Sequence, residues 1–225
     1  PDPRAAEEGA ERIMTCLTIA TGYNSPPRNP RDADCVFLPE SLAFKLLHAG
    51  ESGVDCGRLV IEYPGRASDR RRAVEDAIRR TPGLDALAVF GHGTPSKLIA
   101  TGHGMGQVDG LASALESVAC TQIILYAYLT GRGRTGFADA LADALPWAHV
   151  WAHSTAGHAT WNPYVELAGG PNGGDPVFTP ADGLRWAHWR DRLRSDQRFR
   201  LTFWHAGRGL GRAQALEAVR ESAGR

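Results

Sequence analysis

His92 and Tyr128 are the residues of this sequence best placed to do chemistry. His92 lies in Gly91-His92-Gly93, directly after the apolar run Leu84–Phe90, and Tyr128 closes the apolar run Ile123–Tyr128. An imidazole titrates near neutral pH, so it can take a proton from one group and return it to another. The flanking glycines let the backbone turn sharply and bring an N–H close to a ligand. If the two runs are neighbouring parallel strands, their ends lie roughly 5 Å apart. A side chain at 128 then faces His92 across a cleft.

Other groups compete for attention. Gly131-Arg132-Gly133-Arg134-Thr135-Gly136 has the GxGxxG spacing of a dinucleotide loop. It follows the fourth strand rather than the first, and about 20 residues on the chain reads His153-Ser154-Thr155 instead of an acid for a ribose. Arg132 and Arg134 beside a helix start could still hold a phosphate or a substrate carboxylate. His149, His153 and His158 suggest a metal, but no HExxH or close cysteine pair accompanies them, so no metal and no cofactor is expected. Ser154 lacks the G-x-S-x-G elbow of a serine hydrolase. Ser154, Thr155 and His158 follow the fifth strand and are candidate substrate contacts.

These groups need a scaffold, and the apolar pattern predicts one. Strand-length runs at Cys16–Ala20, Leu59–Tyr63, Leu84–Phe90, Ile123–Tyr128 and His149–His153 alternate with helical periodicity. Helices are expected with Leu42, Leu46 and Leu47 on one face. The next carries Ala73, Val74, Ala77 and Ile78 after an Asp69 cap. Two more present Val108, Leu111, Leu115 and Val118, then Phe137, Leu141 and Leu145. Continuous apolar strands, each followed by a helix, predict an α/β fold. Its form is a three-layer αβα sandwich with a mainly parallel central sheet. Gly169–Gly174 reads as a loop. Beyond it, Leu184–Leu193 and Leu210–Val219 suggest helices, and Phe199, Leu201 and Phe203 a strand. Residues 1–13 are expected to be an extension or tag remnant, and 14–225 one domain.

Composition narrows the function class. Lys and Arg number 25, as do Asp and Glu, so no basic excess points to nucleic acid. No apolar stretch is long enough for a membrane helix, and the N-terminal residues lack the order of a signal peptide. Cys16, Cys35, Cys56 and Cys120 are scattered and form no CxxC pair, so a disulfide-built secreted domain is not expected and a reducing cytoplasm is the default.

The stretch Leu87-Ala88-Val89-Phe90-Gly91-His92-Gly93, a helix, then Ile123-Ile124-Leu125-Tyr126-Ala127-Tyr128 resembles the caspase-like cysteine peptidases. That group includes caspases, metacaspases, gingipains, separase and the bacterial CHAT proteases, with the pattern strand, His-Gly, helix, strand, Ala-Cys. The resemblance covers about residues 14–165. It implies a caspase-like domain acting on protein or peptide substrates, with the option of a regulatory protein partner. His92 would be the dyad acid and base, and position 128 the nucleophile. The Gly93 and residue 128 N–H groups would form the oxyanion hole. This chain departs from the pattern at the decisive place, because 128 is tyrosine, and a phenol with a pKa near 10 is a poor acyl acceptor. Cys120 lies eight residues earlier, roughly 25 Å along a strand, so Cys35 is the better substitute nucleophile. The implied protein is a pseudo-protease or a cysteine-replaced peptidase. The alternatives are a protein-interaction scaffold and a nucleotide- or anion-binding domain using residues 131–136.

Overall fold

A computed structural model describes residues 13–23, 37, 41, 44–45, 53–63, 65–99, 101–133, 135–154 and 166–169. Strands β1 (Met14–Tyr23), β2 (Val54–Tyr63), β3 (Leu84–Gly91), β6 (Gln122–Ala127), β7 (His149–Ala152) and β8 (Glu166–Gly169) form one sheet. Their order is β2-β1-β3-β6-β7-β8. All pairs are parallel except β7 with β8. Short strands β4 (Lys97–Leu98) and β5 (His103–Gly104) make a separate antiparallel hairpin. The helices are α1 (Ala67–Arg79), α2 (Val108–Glu116) and α3 (Phe137–Ala144).

Side-chain alternation divides the sheet into two faces. Leu17, Ile19, Leu87, Val89, Ile123, Leu125 and Val150 pack in one core with Val74 and Ile78 of α1, Leu111 and Leu115 of α2, and Phe137 and Leu141 of α3. These are the stripes the helical periodicity predicts, because burying them is what stabilises each helix. The opposite face carries Phe90 and Tyr126, whose rings stack at 5.0 Å. Phe44 meets Phe90 at 5.8 Å, and Ser41 accepts a 3.0 Å hydrogen bond from Arg58 Nε of β2. Phe37, Ser41 and Phe44 are helical, buried and spaced as one helix face, so a helical layer covers this side too. The fold is thus a three-layer αβα sandwich around a mainly parallel sheet.

Several expectations change. β1 and β2 are each 10 residues long, twice the apolar runs that suggested them, because their first halves pair with each other in register from Met14↔Val54. α1 begins at Ala67 after Arg66, so Asp69 sits in its first turn, near the positive end of the helix dipole, rather than at the cap. β8 and the β4–β5 hairpin are too short for a periodic signal. At the β1–β3 register shift between Thr15 and Cys16, the Asp85 carboxylate accepts the Thr15 N–H at 2.8 Å.

Two of the scattered cysteines are joined. Register places Cys16 opposite Cys56, with Cα atoms 4.5 Å apart, and the two form a disulfide. Partners 40 residues apart in sequence leave no local spacing signal. Among the described residues no helix is long and apolar enough to cross a membrane. Leu42, Leu46, Leu47 and all elements expected beyond residue 169 lie outside the described residues.

Candidate functional site

The site is built by extending one register. β3 and β6 pair Phe90↔Tyr126 and then Gly91↔Ala127. The next residues are His92 and Tyr128, which therefore leave neighbouring strand ends on the face that carries Phe90 and Tyr126. Their rings meet edge to face with centroids 5.3 Å apart, and both side chains are half-buried. Phe37 closes the group at 5.1 Å from His92 and 6.0 Å from Tyr128, and is itself 1% exposed. This trio sits at the carboxyl edge, beside the point where strand order reverses between β1 and β3. Open α/β sheets place ligands there.

Tyr128 occupies a tight turn. Thr130 donates both its N–H, at 3.4 Å, and its hydroxyl, at 2.9 Å, to the Ala127 carbonyl. Inside the turn Leu129 has φ 60°, a left-handed conformation that costs a side-chain-bearing residue about 1–2 kcal/mol. Gly93 lies flat against this turn. A Cβ there would stand 2.6 Å from Thr130 Cγ2 and 2.7 Å from the Tyr128 carbonyl oxygen. Only glycine lets the His92 loop approach so closely, which brings the backbone of 93 to that of 128.

The remaining candidates scatter along the same edge. Arg132 is exposed on the loop after Tyr128, and its N–H donates to the Leu129 carbonyl at 2.9 Å. Ser154 follows β7, and Gly131 N–H donates to the His153 carbonyl at 2.9 Å, joining the two loops. Thr155, His158, Arg134 and Cys35 lie outside the described residues. Where the GxGxxG loop enters α3, the backbone donors have partners. Gly136 N–H donates to the Asp139 carboxylate at 3.0 Å, Phe137 N–H to the Pro95 carbonyl at 2.7 Å, and Ala138 N–H to the Thr130 carbonyl at 3.0 Å. The donors at the start of α3 are engaged within the protein, and Asp139 adds a negative charge beside them.

His149 is engaged within the sheet. It takes a 3.3 Å hydrogen bond from Gln122 Nε2, whose Oε1 accepts the Trp151 indole N–H at 3.2 Å. His153 lies four positions further on and contacts Tyr126 edge to face at 5.5 Å. Among the described residues no three metal-ligating side chains are placed to hold a metal. Cys120 lies at the far edge of the sheet, its thiol donating to the Gln122 carbonyl, and burial pushes its pKa up to about 12. It is no substitute nucleophile.

Two features escape sequence reasoning. Phe37 becomes part of the site only through the fold, since nothing local marks it. His103, of β5, is fully buried between Thr101 Oγ1, 2.7 Å from Nδ1, and Glu75 Oε1, 3.2 Å from Nε2. In comparisons with protein-family models, with curated proteins and with solved structures, nothing matches this chain.

Proposed function

We propose that this chain is a caspase-like cysteine-peptidase fold in which a phenol stands at the nucleophile position, so that it binds protein or peptide at the carboxyl edge without cleaving it. The observation that carries this reading is the convergence of His92 and Tyr128 from adjacent parallel strand ends, 5.3 Å between ring centroids. The close approach of Gly93 to the residue 128 backbone supports it, because an oxyanion hole needs two N–H groups from those neighbouring segments. Phe37 packs against both rings, 5.1 Å from His92 and 6.0 Å from Tyr128.

The test is Tyr128→Cys in a Cys35→Ser background. A thiol at 128 beside an imidazole loses its proton more readily than an isolated thiol, whose pKa is about 8.5. Its alkylation by iodoacetamide should therefore stay fast below pH 7, and His92→Ala should return it to the isolated-thiol profile. Peptide cleavage, where seen, should vanish with the same His92→Ala change. A thiol at 128 that titrates alike with and without His92 would sink the reading.

A further inference from the structure

We infer that Thr101, His103 and Glu75 form a buried proton-binding site, in which the Thr101 hydroxyl turns to serve either protonation state of the ring while the β4–β5 hairpin stays docked on α1. The three groups stand in line. Thr101 Oγ1 lies 2.7 Å from His103 Nδ1, and Glu75 Oε1 lies 3.2 Å from Nε2. The order hydroxyl, imidazole, carboxylate is that of a nucleophile triad, but Thr101 is 0% exposed and meets no substrate. What the cluster can exchange is a proton, by way of Glu75, whose side chain is 21% exposed.

Counting hydrogens shows how both states are served. The Thr101 hydroxyl has one hydrogen and two acceptors in reach, Nδ1 and the Leu98 carbonyl at 3.3 Å. In the neutral ring Nε2–H donates to the Glu75 carboxylate, so Nδ1 is a bare lone pair and takes the hydroxyl hydrogen. The Leu98 carbonyl keeps the Gly102 N–H at 3.1 Å. When the ring gains a proton, Nδ1–H donates to the Thr101 oxygen. The hydroxyl hydrogen swings to the Leu98 carbonyl, whose second lone pair accepts it. Each polar atom of the ring and the hydroxyl has a partner in both states, and no heavy atom has to move.

The surrounding charges set how readily the proton binds. On α1, Glu75 favours it and Arg71 opposes it. Arg79 lies 3.5 Å from the Glu75 carboxylate and 3.7 Å from Asp76, so it can lean on either acid. On the hairpin, Lys97 is exposed and pairs through the backbone with Gly104. On α2, which packs on β5, Asp109 is exposed. Burial weighs most and holds the ring below the ordinary histidine range. The inference does not rest on the peptidase-type reading, because these groups lie outside the His92–Tyr128 pair.

The experiment follows the ring nitrogens of the full chain, carrying isotope-labelled histidine, by long-range proton–nitrogen NMR as the pH is lowered. The backbone amides of Lys97, Leu98, His103 and Gly104 are recorded alongside. Near neutral pH, His103 should show Nε2 protonated and Nδ1 bare. On acidification both nitrogens should move to imidazolium positions while the hairpin amides keep their dispersed signals. Thr101→Val should make the ring bind its proton several-fold more weakly, since a charged donor loses more than a neutral acceptor when its partner goes. Thr101→Ser should restore the wild-type titration. Four results would overturn the inference: a neutral ring protonated at Nδ1, hairpin amides collapsing as His103 titrates, unfolding before the ring titrates at all, or Thr101→Val titrating as the wild type does. If the valine variant does not fold, the first three, read on the wild-type chain, decide the matter.

Discussion

Gly93 and Leu129 divide the backbone strain of the site between them. Leu129 takes the left-handed conformation at φ 60°, although it carries a side chain, and Gly93 gives up a side chain so that the turn holding Tyr128 can pack against it. Strain of this kind survives only where surrounding contacts enforce it, and it gathers at binding and catalytic sites. Gly93→Ala is therefore expected to destabilise the fold by about 1–3 kcal/mol, the usual cost of overpacking a tight contact, since the clash includes a carbonyl oxygen and not only a movable side chain. Urea unfolding measures that loss. In the Tyr128→Cys background the same change should also slow iodoacetamide alkylation at low pH, because it pushes the His92 loop away from the turn. Retained stability together with unchanged alkylation would mean that the loops do not meet as described.

At the scale of elements, α1 and the β4–β5 hairpin are joined by a polar latch. Arg71 donates to the Gly102 carbonyl at 2.8 Å and Arg70 to the Ile99 carbonyl at 3.3 Å. Glu75 reaches His103, and Arg79 lies 3.5 Å from the same carboxylate. This latch anchors the loop that runs on from His92. Burial lowers the His103 pKa, with the Arg71 charge adding to it, and the hydrogen bond and charge of Glu75 pull the other way. The neutral ring then donates Nε2–H to Glu75 and accepts the Thr101 hydroxyl at Nδ1. The sign of the pH effect follows. Between the lowered folded value and the ordinary value of about 6.5, the unfolded chain binds a proton that the folded chain refuses. Stability conferred by the neutral ring is complete above that range and is lost as pH falls through it. His149, also lowered by burial, acts in the same direction. The melting temperature should drop below about pH 6.5, and His103→Gln should flatten that drop while lowering the plateau at pH 7. A His103→Gln protein with an unaltered acid limb would show that this ring is not the group responsible.

At the scale of the molecule, the disulfide spans 40 residues, and a loop of that length stabilises by about 4 kcal/mol on the chain-entropy account. The Cys16→Ser, Cys56→Ser double variant should lose a comparable amount in urea, and dithiothreitol should then have no further effect on it. A loss well under about 1 kcal/mol would show that the β1–β2 ladder already restrains the unfolded chain. The layers and the parallel sheet were legible in the sequence, because Leu111, Leu115, Phe137 and Leu141 repeat with helical period and strands such as Ile123–Ala127 are apolar throughout. The pairing of His92 with Tyr128 was legible too, since it needs only two strand ends and their adjacency. Phe37 and the Cys16–Cys56 bond were not, because each depends on which distant strands become neighbours, and short-range periodicity is silent on that. The engaged donors at the start of α3, Gly136, Phe137 and Ala138, were hidden for the same reason, as their acceptors are Asp139, Pro95 and Thr130.

The strand order also sets a timetable. β1 lies between β2 and β3, so one side of it stays open until β3 has emerged. Cys56 emerges well before β3, whose Asp85 takes the Thr15 N–H from 70 residues further along. During that interval β1 has one partner and an open side. A bond formed early between Cys16 and Cys56 would keep the nascent pair in register until β3 arrives to cover it.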